Sequence, residues 1–426
     1  MRTLRYGSRG PAVQLLQTAL NRAGFGPLET DGLFGAATRS ALTDFQTAND
    51  LPADGVAGPR SHRALRPWYT GYLLHILQPG DTFWSLGRRY GVGAEAVALA
   101  NPGLPAGNLP VGAAAAVPLP FPVVPTDIDW CAELVGYCVQ GLSTRYPFLR
   151  SGQFGRSVLG RPLWSLTLGE GRARALYNAE HHANEWITTP LLLHFAEELA
   201  AACAEGGTIA GQSAAELLAR CTLCLVPAVN PDGLDLVTGE LTSGEAYDRA
   251  KRIAAAYPRF PFPGGWKANI RGVDLNLQYP AGWEQAREIK FSQGIVSPAP
   301  ADFVGSGPLA APEARALYEL TQRFDPGLIL AYHSQGEVIY WRYLDFEPPG
   351  ARELGERFAA LSGYALEETP YASGFAGYKD WFIQDYDRPG YTIEVGRGVN
   401  PLPITDFDAI YARNLGLLVE GMRARV

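Results

Sequence analysis

Three prolines within the seven residues Leu119–Pro125 divide this chain. Proline lacks an amide hydrogen and fixes φ near −65°, so neither a helix nor a central strand runs through such a stretch. Residues 120–126 therefore read as a semi-extended linker. Residues 1–119 must fold ahead of it, and residues 127–426 are enough for one large domain. Apolar residues make up 47% of the 426 and charged residues 19%, so a substantial core can form. The net charge of −7 gives no general attraction to nucleic acid. No run of 18 apolar residues offers a membrane span. The five cysteines, 131, 138, 203, 221 and 224, are odd in number and unevenly spread, a poor disulfide framework. Cys221 and Cys224 fall in an apolar run that reads as a strand, where residues three apart face opposite ways. Met1–Ser8 lacks the apolar stretch of a signal peptide. The expected location is cytoplasmic, spore or cell-wall associated, without a choice among them.

The leading residues contain a near-repeat. Asp31-Gly32-Leu33-Phe34-Gly35 returns as Asp54-Gly55-Val56-Ala57-Gly58. Each copy sets a turn before a helix start, with Thr38 or Ser61 as the expected cap. Val13, Leu16 and Leu20 have helical spacing, as does Ala41–Gln46. Residues 1–67 thus read as a small all-α unit with two glycine loops. With Val13-Gln14-Leu15-Leu16-Gln17 and Phe45-Gln46, the unit resembles the peptidoglycan-binding domain of cell-wall hydrolases. Residues 73–119 read as a small α+β unit: strand Leu74–Leu77, turn Gln78–Thr82, helix Phe83–Tyr90. Pro79-Gly80-Asp81-Thr82-Phe83-Trp84-Ser85, with Asn101-Pro102-Gly103-Leu104, makes it resemble a LysM domain, which implies binding of N-acetylglucosamine-containing glycans.

Beyond the linker, apolar runs at Thr222–Val229, Gly327–Tyr332 and Gly390–Val395 alternate with helical patterns at Leu191–Cys203 and Pro312–Phe324. Such alternation predicts an α/β sheet covered by helices. Six histidines occur, and three of them, 181, 182 and 194, crowd into fourteen residues. His182 and Glu185 are three apart at a strand-to-helix turn, a spacing that can place imidazole and carboxylate on one zinc ion; His181 also reaches Glu185. A third ligand must come from elsewhere, and His333 follows the apolar strand Leu328–Tyr332. Strand carboxyl ends are where sites form in open α/β sheets. Glu394 puts a carboxylate inside an otherwise apolar strand, which is costly unless it has a task. His62, His75 and His194 read as structural.

Residues 127–426 resemble the carboxypeptidase A-like metallopeptidases. The resemblance rests on His182-x-x-Glu185-Trp186, Asn230-Pro231-Asp232-Gly233, Gly272-Val273-Asp274-Leu275-Asn276, His333-Ser334 and Glu394, in that order. It implies a mixed eight-stranded sheet between helices, with one zinc ion held by His182, Glu185 and His333. It implies Glu394 as general base and Arg271 as the oxyanion's partner. A tyrosine before Asp380-Trp381 would cover the substrate, Tyr371 or the nearby Tyr378.

Two positions depart from that pattern. Carboxypeptidases of this kind follow the asparagine with an arginine, and the pair grips a terminal carboxylate; here Asn276 is followed by Leu277. Lys379 stands before Asp380-Trp381, where the resemblance puts the base of the specificity pocket. A lysine there suits a substrate with a side-chain carboxylate, such as meso-diaminopimelate; the alternative is a lysine turned to solvent. With two wall-binding units in front, and with Ser373–Trp381 and Gly398–Pro403, the chain resembles γ-D-glutamyl-L-diamino-acid endopeptidases, and Arg397 joins the substrate-binding candidates. The expected partners are glycan strands and stem peptides of peptidoglycan, and neither nucleic acid nor membrane. The alternatives are a carboxypeptidase trimming stem peptides and a wall-binding protein without activity.

Overall fold

Gln17 and Gln46 hold the two glycine turns of the N-terminal repeat in the same way. Gln17 Nε2 donates to Asp31 Oδ1 at 2.8 Å and to Thr38 Oγ1 at 3.1 Å, while Gly32 N donates to Gln17 Oε1. Gln46 Nε2 donates to Asp54 Oδ1 and Ser61 Oγ, both at 3.0 Å, while Gly55 N donates to Gln46 Oε1. Thr38 and Ser61 are therefore not the helix caps expected of them. The helices α1 (Pro11–Arg22), α2 (Ala36–Ala48) and α3 (Pro59–Thr70) all start after glycine, without a side-chain cap. The threonine and serine oxygens accept from the glutamines instead, so each turn is pinned from the helix in front of it.

The computed structural model describes residues 1–424 and divides after Arg150. In the first unit, β1 (Tyr72–Ile76), α4 (Phe83–Tyr90), α5 (Ala94–Leu99) and β2 (Ala114–Pro118) follow the three helices. β1 and β2 pair antiparallel. Thr82 and Ser85 form a reciprocal capping box at the start of α4. Leu77, Phe83, Leu86, Val97 and Val117 make the core of this part, at about 1.5–3 kcal/mol for each large side chain buried.

Residues 120–126 are not a free spacer. Val123 and Val124 are buried. The Arg145 guanidinium, at the end of α6 (Ala132–Arg145), donates to the carbonyls of Leu119, Gly71 and Phe121 at 2.7–3.0 Å. Tyr137 of α6 stacks on Tyr69 of α3. The first unit therefore runs past the proline stretch to Arg150.

The second unit is built on strands β3 (Arg150–Arg156), β4 (Pro162–Leu168), β5 (Ala173–Ala179), β8 (Cys221–Val226), β9 (Leu328–Ser334), β10 (Val338–Tyr340), β11 (Ala365–Glu367) and β12 (Gly390–Val395); β6 (Thr208–Ile209) and β7 (Gln212–Ser213) form a separate small hairpin. The sheet order is β11-β10-β12-β9-β5-β8-β4-β3. The inner strands β12, β9, β5 and β8 are parallel, while β10 and β4 run antiparallel to β12 and β8. This is the mixed eight-stranded α/β sheet expected. Every residue of β9 is buried, as in a sheet covered on both faces. Leu176 and Ile329 pack with Trp381 and Phe382 on one face. The neighbouring Tyr177 points the other way, its hydroxyl donating to the carbonyl of Leu418 in the helix Phe407–Arg423. Cys221 and Cys224 are free thiols in β8, and burial pushes both up to about 12.

Candidate active site

The chain runs from β5 outward to β8, then returns to β9 on the other flank of β5. Open parallel sheets form their crevice at such a reversal, beyond the carboxyl ends of the strands. His182 lies just past the end of β5, and His333 is the next-to-last residue of β9. Glu394 pairs in register with His333 on β12, so the two side chains share a face. A 3-10 turn, Ala183–Glu185, follows His182. At three residues per turn, side chains three apart eclipse, which brings Glu185 beneath His182.

Two imidazoles and one carboxylate meet here. Their ligating atoms all lie within 4.8 Å of one another. His182 Nδ1 is 2.9 Å from Glu185 Oε1, His333 Nδ1 is 2.8 Å from Glu185 Oε2, and the two Nδ1 atoms are 3.2 Å apart. Two nitrogens and a carboxylate converging on one point are the donor set of a catalytic zinc site with a position left for water. The residues present therefore fit the metal. Asp274 Oδ1 sits 3.2 Å from His182 Nε2, fixing the tautomer that leaves Nδ1 for an ion. Ser334 N donates to Glu185 Oε2, and Asn400 pins Ser334 through its hydroxyl and its carbonyl. Asn230, fully buried, donates to the carbonyls of His181 and Ala268 and caps the helix Pro231–Val237 by accepting from Gly233 N.

Charge is dense in this crevice. Burial opposes the charged form of His182, but Glu185 and Asp274 outweigh it and hold its pKa up to about 9. Burial also opposes ionised Glu185; His182 and Lys267 nevertheless keep it well below the ordinary range. Burial, then the Glu185 charge, pushes Glu394 up to about 8. A carboxyl raised in this way is poised to exchange protons near neutral pH.

The structure does not bring every expected residue here. Of the two histidines left open, His182 joins the cluster; His181 is fully buried and bonds the Tyr279 hydroxyl. Arg271 is exposed and does not line the cavity. Asn269 Oδ1 accepts from the amides of Arg271 and Val273, a turn that directs the arginine outward. The cation at the site is Lys267, half-buried, with Nζ 3.0 Å from Glu185 Oε1. It lies in the same Trp266-Lys267-Ala268-Asn269 run, and its place beside a tryptophan in an otherwise apolar approach was the available signal. Asn276 lines a cavity of about 480 Å³ together with Leu277, Lys267 and Glu394. Its Oδ1 accepts from Tyr378 N, leaving its Nδ2 donors for a ligand. Lys379 lines the same cavity and is not turned to solvent: it is 4% exposed and meets Asp380 Oδ1, the Arg342 carbonyl and Thr369 Oγ1. Tyr378 is fully buried against Thr321, so it cannot cover a substrate. Tyr371 is 65% exposed, borders the adjoining hollow and rests edge-on against Phe375. Arg397 is exposed, paired with Glu337, and stands outside the cavity lining.

A zinc carboxypeptidase family model matches residues 137–408, a peptidoglycan-binding domain model residues 9–65 and a LysM model residues 75–113. The chain is 44% identical over 284 residues to gamma-D-glutamyl-L-diamino acid endopeptidase 1 of Lysinibacillus sphaericus, covering 67% of this chain and 70% of that one. It is 41% identical over 276 residues to the uncharacterized protein YqgT of Bacillus subtilis, 64% of this chain and 72% of that one. The crystal structure of carboxypeptidase A from Helicoverpa armigera superposes with a TM-score of 0.53 at 18% identity, over 70% of this chain and 74% of its own, a likeness of fold alone. The triad at the sheet's reversal, the mixed eight-stranded sheet and the match over most of the second unit agree, and the chain belongs to the zinc carboxypeptidase family, the M14 metallopeptidases.

Proposed function

We propose that this metallopeptidase cleaves the bond between the γ-carbonyl of D-glutamate and the amino group of meso-diaminopimelate in peptidoglycan stem peptides. The observation that carries the reading is Lys379, a buried ammonium in the wall of the metal cavity. A buried lysine suits a leaving-side residue with a carboxylate on its side chain, as diaminopimelate has. Leu277 stands where a carboxypeptidase needs a guanidinium for the terminal carboxylate, which favours internal cleavage over trimming. The name of the Lysinibacillus relative agrees with this substrate. Peptidoglycan-binding and LysM units on the same chain would raise the local concentration of stem peptides.

His182, Glu185 and His333 would hold the zinc ion, which when bound supplies a Lewis acid for the scissile carbonyl and lowers the pKa of water. Glu394 accepts a proton from the attacking water as its oxygen bonds the γ-carbonyl carbon. The Lys267 ammonium faces the charge that develops on the carbonyl oxygen, the part that the family resemblance implies for Arg271. As the C–N bond breaks, Glu394 returns the proton to the departing nitrogen. The products are a free γ-carboxylate and a free diaminopimelate amine. The test is mass analysis of digests of the defined peptide L-Ala-γ-D-Glu-meso-diaminopimelyl-D-Ala. The expected products are L-Ala-D-Glu and diaminopimelyl-D-Ala, formed without a chelator and absent with one. Release of D-Ala alone would instead identify a carboxypeptidase.

A further inference from the structure

A third lysine lines the cavity, and neither the metal site nor Lys379 accounts for it. Lys290 lies on the helix Trp283–Ser292 and is 7% exposed, yet it contributes to the cavity wall with Leu277 and Ala301. Its Nζ is 2.7 Å from Asp302 Oδ1. Asp302 adopts a left-handed backbone, φ 68°, and its amide donates to Asp274 Oδ2, the carboxylate that backs His182. Lys290 is thus tied through two aspartates to a metal ligand, and it shares a cavity wall with the leucine that replaces the expected arginine. Burying an ammonium is costly unless it is well paired. Lys379 donates to two acceptors, the Arg342 carbonyl and Thr369 Oγ1, and ion-pairs with Asp380, which leaves it one donor. Among the described residues Lys290 Nζ ion-pairs with Asp302 alone, and an ammonium carries three donors, so donors remain for the cavity.

We propose that Lys290 is a specificity residue, a second carboxylate receptor that reads an anionic group of the stem peptide which Lys379 does not. The proposal rests on the stem-peptide reading above. The carboxylates available to it are the α-carboxylate of the γ-linked glutamyl residue and those of diaminopimelate. Asp302 holds the ammonium in place and shares it when the substrate carboxylate enters.

The experiment compares L-Ala-γ-D-Glu-meso-diaminopimelate with analogues in which each carboxylate in turn is a carboxamide. The parent enzyme is expected to disfavour the matching amide about 10- to 100-fold in kcat/KM, the range for a hydrogen bond to a charged group. Lys290→Met is expected to lose that discrimination for one analogue only, chiefly through KM, and Lys290→Arg to recover part of it. The analogue that falls silent identifies the carboxylate. An equal loss on all peptides would mean that Lys290 only props the wall, and would overturn the proposal. Should Lys290→Met fail to fold, Asp302→Asn serves: freeing the ammonium should widen discrimination several-fold, and no change would be equally fatal. Calorimetric binding of the same peptides to a Glu394→Gln variant makes the comparison without turnover. Failure of hydrolysis then counts against the proposed bond, and failure of discrimination counts against Lys290.

Discussion

The structure separates two cations that lie four positions apart in one loop. Lys267 faces the metal ligands and Arg271 faces out. Lys267→Met should lower kcat on stem peptides about 100- to 1,000-fold, the cost of removing one oxyanion donor, with KM little changed. Arg271→Ala should leave both parameters within about twofold. Glu394→Gln should lower kcat about 100- to 10,000-fold while metal content by elemental analysis stays at the parent's level. Glu180 carries a different prediction. It is fully buried, and burial first, then Asp235 and Asp232, raises its pKa well above 4.5. The folded state therefore holds this proton more tightly than the unfolded chain does. The stability it contributes is complete below about pH 4.5 and falls as pH rises toward the folded value. Glu180→Gln has no proton to lose, so its melting temperature should match the parent's near pH 4 and exceed it by pH 8. A gap that shrinks with rising pH would contradict this.

At the scale of elements, the site is a set of strand ends and the turns that follow them, and Asn230 joins several. Asn230→Ala removes a helix cap and strands two buried carbonyls. It should destabilise the protein by about 3 kcal/mol in denaturant unfolding and weaken metal binding as well. The strands and the triad were legible in the sequence because they obey rules of pattern. β9 and β12 are apolar runs with turn residues at their borders, and only six histidines compete for the role of ligand. The loop residues were not legible. Between Trp266 and Asp274 there is no period to say which side chain faces inward, and a hydrogen-bonded turn at Asn269 decides it. Thr38 and Ser61 misled for a related reason: a hydroxyl near a helix start suits a cap, but a glutamine from the preceding helix claimed it. Lys290 and Asp302 come from a helix and a loop twelve positions apart, and only the fold shows that they meet.

For the molecule as a whole, catalysis and wall attachment can be separated by the form of the substrate. A soluble N-acetylglucosamine oligosaccharide added in excess should slow hydrolysis of insoluble peptidoglycan by about tenfold or more, by cancelling attachment. It should leave hydrolysis of a soluble stem peptide unchanged. Equal inhibition of both would mean that the sugar reaches the catalytic cleft. The metal triad also bears on the whole chain, because His182 and His333 are 151 residues apart. An ion bridging them closes a loop of that length. In an unfolded chain, closing such a loop would cost roughly 4 kcal/mol of entropy before any contact rewarded it. His182 and Glu185 alone, as neighbours, can offer an ion only a weak two-point hold. The second unit's sheet meets the entropy cost in advance by pairing β5 with β9. Tight metal binding is therefore a readout of central-sheet closure: a chain in which those two strands have come apart has lost its third ligand before it has lost any residue.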